Sequence, residues 1–193
     1  MRLQSLPNAI TVARLVLVPV LVAGAALDLP GVALVGLMAL AFATDFADGL
    51  LARWLGASSA FGARLDSIAD FAFYLSIPLV AWLAWPQILL REAPWFAGAV
   101  ASIVVPAAIA AAKFGVASGY HTWAAKLGAL TMGLGVLALF GLDLAWPFRL
   151  AVVVALLAAT EEVAITLVLR APREDVRSLW HVLGRSQRLA ERS

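Results

Sequence analysis

The chain has 193 residues, of which 63% are hydrophobic and 13% are charged, and its mean hydropathy is +0.94. These values exclude an ordinary soluble domain and predict a protein whose main solvent is lipid. The formal net charge is +2 and the pI is near 9.5, while the lack of cysteines excludes disulfides and thiol catalysis.

Six apolar stretches follow one another along the chain, each long enough as a helix to cross the ~30 Å hydrocarbon core of a bilayer. They are Ile10–Leu27, Gly31–Leu51, Phe61–Trp82, Trp95–Ala112, Ala124–Leu142 and Pro147–Leu169. Proline-containing and polar segments separate several of them, such as "DLP" at 28–30 and "GLDLAWP" at 141–147. The first stretch lacks a convincing cleavage context, so we interpret it as a true span. We therefore expect an all-α integral membrane protein with six transmembrane helices.

The distribution of basic residues predicts the orientation of these spans. If the N-terminus is cytoplasmic, twelve lysines and arginines lie on the cytoplasmic side and two, Arg91 and Arg149, on the other. The positive-inside rule then places both termini in the cytoplasm. We expect residues 1–170 to form one membrane domain and residues 171–193 a basic cytoplasmic tail near anionic head groups. The high pI thus reflects membrane topology and predicts no nucleic-acid partner.

Four aspartates interrupt the second and third predicted spans. Asp45 and Asp48 are three residues apart, and Asp66 and Asp70 are four apart, so each pair shares a face of its helix. The short connection at 54–60 predicts that the two helices are antiparallel neighbours, with all four carboxylates converging on the cytoplasmic side. Ionisable residues inside spans are costly and by default indicate a functional site.

Cations must neutralise such a cluster if its carboxylates are to stay ionised. Arg53 and Arg64 are available for this. A metal ion is the better candidate to neutralise the carboxylates, because hard divalent cations prefer oxygen ligands. A cluster of carboxylates without histidine or cysteine suits Mg²⁺ or Mn²⁺. Four carboxylates can hold two such ions, which is an arrangement used for in-line displacement at phosphorus.

The same segment carries a family signature. Its pattern, Asp45-x2-Asp48-Gly49-x2-Ala52-Arg53-x8-Gly62-x3-Asp66-x3-Asp70, resembles the complete signature of the CDP-alcohol phosphotransferase family of phospholipid synthesis. The segment "PNAITVAR" at 7–14 and the region of Lys126 also resemble the family. The resemblance implies a CDP-linked donor, usually CDP-diacylglycerol, whose pyrophosphate lies on a two-metal centre while an alcohol acceptor displaces CMP.

Carried over to this chain, the resemblance also implies roles for individual residues. The metal ligands fall on Asp45, Asp48, Asp66 and Asp70, and Asp70 is also the general base. The positions that shape the nucleotide site are Gly49, Ala52, Arg53 and Gly62. The family further implies a homodimer, and we expect it to lie in the cell (inner) membrane with its active site facing the cytoplasm.

The residues that bind the acceptor are less clearly marked. Lys113, Lys126 and Arg64 can form a basic pocket for a phosphorylated alcohol such as glycerol phosphate or inositol phosphate, or they can simply anchor cytoplasmic loops. Glu161 and Glu162 interrupt the sixth span and are not part of the signature. Either can contact an acceptor hydroxyl or a cationic head group, and Glu161 joins the predicted acceptor site.

The first predicted span carries one charged residue, Arg14. Arg14 is expected to turn toward the protein interior or to snorkel to the interface, without a catalytic role.

A cation transporter also uses intramembrane carboxylates, but the chain lacks the inverted repeats typical of that class. A metal-dependent enzyme acting on prenyl diphosphates would leave the Gly-x2-Ala-Arg element unexplained. A member of the same family with a non-phosphorylated acceptor remains open.

Overall fold

The computed structural model of the chain describes residues 6–55, 60–115 and 122–169, with side chains at most of these positions. The predicted basic tail at 171–193 and residues 116–121 lie outside these ranges. The described part is helical throughout, with no strand. Its helices are α1 (Leu6–Ala26), α2 (Gly31–Leu55), α3 (Ala60–Ala84), α4 (Pro86–Arg91), α5 (Ala93–Phe114), α6 (Trp123–Leu142) and α7 (Ala145–Val168).

Long helices occupy all six of the stretches that the sequence predicts as spans. Five contain an apolar segment long enough to cross a membrane: Ala9–Ala26, Leu65–Ala84, Ala93–Phe114, Trp123–Leu142 and Ala145–Val168. Among the described residues of α2 the apolar segment is shorter, Gly31–Asp45. The protein is therefore an all-helical, multi-pass membrane protein, whereas the sixth crossing and the orientation of the termini stay predictions.

The helix α4 is not among the predicted elements. It lies in the break between the third and fourth predicted spans and begins with Pro86 at its first position, where a proline costs no hydrogen bond. The described chain divides into two compact units. The first comprises Met1–Ala93 and Phe140–Asp143, and the second comprises Pro94–Leu139 and Leu144–Ser193.

In the first unit α1 packs against both α2 and α3. Leu21, Leu34 and Met38 are almost fully buried in this core. The α1–α2 connection is tight because Asp28 adopts a left-handed conformation, with φ of 55°. Aspartate tolerates that conformation better than most residues do, so the chain can reverse between the two helices within a few residues.

A polar cluster in the first unit joins Arg91, the last residue of α4, to Glu92 and to Asp143, which follows α6. The guanidinium of Arg91 donates hydrogen bonds to Asp143 at 2.5 Å and to Glu92 at 3.1 Å. The hydrogen bond from Arg91 and its positive charge lower the pKa of Asp143 below the ordinary value of 3.8. Glu92 is completely buried, so Arg91 holds a carboxylate that water does not reach.

In the second unit the packing of α6 against α7 depends on a glycine. A side-chain carbon built at Gly135 would lie 2.8 Å from the Cα atom of Phe148 and 3.1 Å from the carbonyl oxygen of Pro147. Only a residue without a side chain permits this close approach of the two backbones. Phe148 also contacts Phe96 of α5, with the ring centroids 4.9 Å apart.

Candidate active site

Three of the four signature aspartates come together in the first unit. Asp45 lies on α2, and Asp66 and Asp70 lie one turn apart on α3. One carboxylate oxygen from each falls within 4.8 Å of the others. Their side chains are 32–37% exposed, so the cluster is open enough to admit a small ligand. The convergence that the helical spacing predicts is confirmed for these three residues.

The remaining positions of the signature fall partly outside the described side chains. Asp48, Gly49, Ala52 and Arg53 belong to α2, but only its backbone is described there. Gly62 lies on α3, one turn before Asp66. The roles that the family resemblance implies for these positions stay predictions.

A buried arginine from α1 reaches the centre of the cluster. Arg14 is completely buried, and its two terminal nitrogens contact all three carboxylates. Nη2 donates to Oδ1 of Asp66 at 3.0 Å, and Nη1 donates to Oδ1 of Asp45 at 2.7 Å and to Oδ1 of Asp70. The sequence therefore correctly predicts that Arg14 can turn inward. It does not show that Arg14 supplies a countercharge to all three aspartates. The side chains of Arg53 and Arg64 lie outside those described.

The signal that could have identified Arg14 is its position relative to Thr11, three residues earlier. Residues three apart lie on the same face of a helix, and Thr11 is only 4% exposed. A polar residue followed at helical spacing by an arginine inside a span predicts a buried polar stripe. What the stripe faces depends on how α1 packs against α2 and α3, which the sequence of α1 does not encode.

Aromatic side chains pack close to the aspartates on both helices. Phe42 precedes Asp45 by one turn of α2, while Phe73 and Tyr74 follow Asp70 by one turn of α3. The ring of Phe42 meets that of Phe73 edge-on, with centroids 5.0 Å apart, and lies 6.1 Å from that of Tyr74. This packing places apolar surface beside the cluster, which strengthens electrostatic interactions there.

The charges of the cluster suit a divalent cation. Asp45, Asp66 and Asp70 contribute three negative charges when ionised and Arg14 contributes one positive charge, which leaves two negative charges uncompensated. The donors are carboxylate oxygens, the ligands that Mg²⁺ and Mn²⁺ prefer. Two oxygens on opposite sides of one Mg²⁺ are about 4 Å apart, and the three carboxylate oxygens lie within 4.8 Å of one another. The residues present therefore fit such an ion.

Among the predicted acceptor residues, Lys113 and Lys126 have contacts that the structure describes. Lys113 on α5 donates hydrogen bonds to the carbonyl oxygens of Thr166 and Leu167, at 2.9 and 2.8 Å, near the end of α7. The ammonium of Lys126 lies 5.3 Å from the centre of the Trp123 ring. Three of the predicted residues, Lys113, Lys126 and Glu161, belong to the second unit. The side chain of Arg64 lies outside those described, and all four acceptor roles stay predictions.

Comparison with known families agrees with the geometry of the cluster. The family model for CDP-alcohol phosphatidyltransferase matches residues 4–170. The chain belongs to this family. The resemblance seen in the aspartate signature is therefore confirmed, and all three clustered aspartates lie within the matched region.

Individual members of the family are moderately similar to the chain. A cardiolipin synthase (CMP-forming) of Oryza sativa is 31% identical over 129 residues, 65% of this chain and 37% of that protein. A CDP-diacylglycerol–glycerol-3-phosphate 3-phosphatidyltransferase of Pseudomonas fluorescens is 33% identical over 129 residues, 65% of this chain and 58% of that protein. The Rickettsia bellii protein of the same name is 39% identical over 69 residues, 35% of this chain and 38% of that protein. The matches thus span less than two thirds of these relatives' length. No solved structure gives a significant match.

Proposed function

We propose that the protein transfers a phosphatidyl group from CDP-diacylglycerol, or a related CDP-alcohol, to a small alcohol and releases CMP. The observation that carries this proposal is the convergence of three signature aspartates in a chain of the CDP-alcohol phosphatidyltransferase family. Asp45, Asp48, Asp66 and Asp70 would hold one or two Mg²⁺ or Mn²⁺ ions. Such an ion, when bound, would supply positive charge to the donor pyrophosphate and so make CMP a better leaving group.

The protein's own groups then act on the acceptor. A carboxylate oxygen of Asp70 accepts the proton of the acceptor hydroxyl. The acceptor oxygen forms a bond to the phosphorus next to the diacylglycerol, and the bond from that phosphorus to CMP breaks. The half-exposed position of Asp70 supports this role, because a base must be reachable by its substrate. Gly49, Ala52, Arg53 and Gly62 shape the nucleotide site in this proposal.

Glycerol phosphate is the acceptor that we favour. Two of the similar proteins are named as glycerol-3-phosphate phosphatidyltransferases. Basic side chains at Arg64 and Lys126 suit a phosphorylated alcohol, and Glu161 can accept a hydrogen bond from its hydroxyl. The similarity to a cardiolipin synthase keeps a larger or non-phosphorylated acceptor as the second candidate.

The decisive experiment measures CMP release by the purified protein in mixed micelles with CDP-diacylglycerol. A panel of glycerol phosphate, inositol phosphate, serine, inositol and choline identifies the acceptor. We expect release with glycerol phosphate, its loss in EDTA, and a decrease of about 100-fold or more in Asp70→Asn. The matched control is Asp28→Asn, since asparagine also tolerates the left-handed turn at that position. If no acceptor supports metal-dependent release, the enzymatic proposal is wrong, and ion flux through the reconstituted protein would favour a transporter.

We also propose six spans with both termini and the active site on the cytoplasmic side, in a homodimer in the cell (inner) membrane. The positive-inside distribution supports this orientation. The chain lacks cysteine, so single cysteines give clean labelling. In intact cells a membrane-impermeant maleimide should label Leu29→Cys, between α1 and α2, and should label Ala171→Cys in the tail only after permeabilisation. The reverse pattern would refute the orientation.

A further inference from the structure

Arg14 has an unusual position for an arginine in a membrane helix, because it is completely buried and contacts three carboxylates at once. A buried guanidinium is strongly destabilising unless charged partners surround it. Here the partners are Asp45, Asp66 and Asp70, the side chains that the proposed function requires as ligands of a divalent cation. Two kinds of cation therefore share one set of oxygens.

We propose that Arg14 is the internal counter-ion of the metal-free protein and that it competes with the divalent cation for the aspartate cluster. The inference rests on the proposed function, because it takes the aspartates as metal ligands. It concerns an arginine that is outside the aspartate signature and that reaches the cluster only through the packing of α1 against α2 and α3. Arg14 is a positioning residue, since it acts through the carboxylates.

Two physical effects predict that Arg14 lowers the affinity of the cluster for a divalent cation. Oδ1 of each aspartate already accepts a hydrogen bond from Arg14, so an ion that takes the same lone pairs must displace the guanidinium. If the ion instead uses the second oxygen of each carboxylate, it lies close to a positive charge in surroundings of low dielectric constant and is repelled. Either effect weakens metal binding and stabilises the metal-free state.

The competition would give Arg14 a role before any metal binds. Three carboxylates held within 4.8 Å of one another repel each other, and this repulsion would drive α2 and α3 apart. Arg14 offsets that repulsion and keeps the ligands near the spacing that a cation requires. The metal then meets a formed site, at the cost of a lower affinity.

The test measures metal binding and thermal stability, both without turnover. Purified wild-type protein and Arg14→Gln are titrated with Mn²⁺, and the free ion is followed by electron paramagnetic resonance. Tryptophan fluorescence reports the unfolding midpoint in EDTA and in saturating Mn²⁺, since seven tryptophans are present. The matched control is Arg91→Gln, which removes an arginine with two acidic partners away from the cluster.

We expect Arg14→Gln to bind Mn²⁺ about tenfold more tightly or better, which corresponds to at least about 1.4 kcal/mol. In EDTA its unfolding midpoint should lie about 5 °C or more below that of the wild type, and saturating Mn²⁺ should close most of this gap. Arg91→Gln should bind Mn²⁺ as the wild type does. Arg14→Lys keeps the charge but lacks the two-nitrogen fork that contacts Asp66 through one nitrogen and Asp45 and Asp70 through the other. Its Mn²⁺ affinity should therefore lie between those of Arg14→Gln and the wild type.

The outcomes separate this inference from the proposed function. If the wild type binds Mn²⁺ and releases CMP while Arg14→Gln or Arg14→Lys binds Mn²⁺ equally or more weakly, the competition is refuted and the proposed function stands. If Arg14→Gln does not fold, Arg14→Lys alone decides by the same criterion. If the wild type neither binds Mn²⁺ nor releases CMP, the proposed function fails and the competition fails with it.

Discussion

Replacing Gly135 by alanine is expected to destabilise the protein, because the new methyl group has no room between α6 and α7. It would lie 2.8 Å from the Cα atom of Phe148, a backbone atom that cannot turn aside as a flexible side chain can. Forcing an extra carbon into a filled interface costs about 1–3 kcal/mol. Part of this is offset by the better helix propensity of alanine, about 1 kcal/mol.

A matched control removes the propensity contribution. Gly36 also lies inside a long helix, but a methyl group there would meet nothing within 4 Å. Gly36→Ala gains the same propensity without the clash, so the difference between the two variants isolates the clash. In a chain of this size 1 kcal/mol shifts the unfolding midpoint by about 2–4 °C. Gly135→Ala should therefore unfold roughly 2–12 °C below Gly36→Ala.

The assay is thermal unfolding of both variants in the same detergent, followed by tryptophan fluorescence and by the fraction that elutes as a single species. Loss of the close approach should also lower the fraction of folded protein before heating. If Gly135→Ala is as stable as Gly36→Ala, the two backbones are not in contact at this position and the packing described for α6 and α7 is wrong.

Two further predictions concern charged side chains close to the ends of helices, Lys113 and Asp143. Lys113→Met keeps the aliphatic stem but removes two hydrogen bonds to the end of α7, so it should lower the unfolding midpoint by about 2–4 °C. A raised acceptor KM with an unchanged midpoint would instead establish Lys113 as an acceptor ligand. Because Arg91 holds the folded pKa of Asp143 below 3.8, their ion pair stabilises the protein above that pH and is lost as the pH falls through the folded pKa. Asp143→Asn should thus lower the midpoint at pH 7, and the difference from the wild type should vanish in acid; a difference that does not change with pH would refute this account.

Most of the fold could be read from the sequence because hydrophobic length is a property of each segment alone. The six apolar stretches coincide with long helices, since a run of apolar residues in lipid must satisfy its backbone hydrogen bonds internally. The helix α4 escaped prediction because it is too short for its pattern to differ from that of a loop.

The aspartate cluster, too, could be predicted from the sequence only in part. Helical spacing alone places Asp66 and Asp70 on one face of α3, and the signature assigns them to a chemistry. Their meeting with Asp45 and Arg14 depends on side chains distant in sequence, as does the contact between Gly135 and Phe148. The sequence by itself therefore determined the membrane class, the helices and the family signature, which are local properties. Only the tertiary structure decided that Arg14 contacts these carboxylates, because packing between helices is a property of pairs of surfaces.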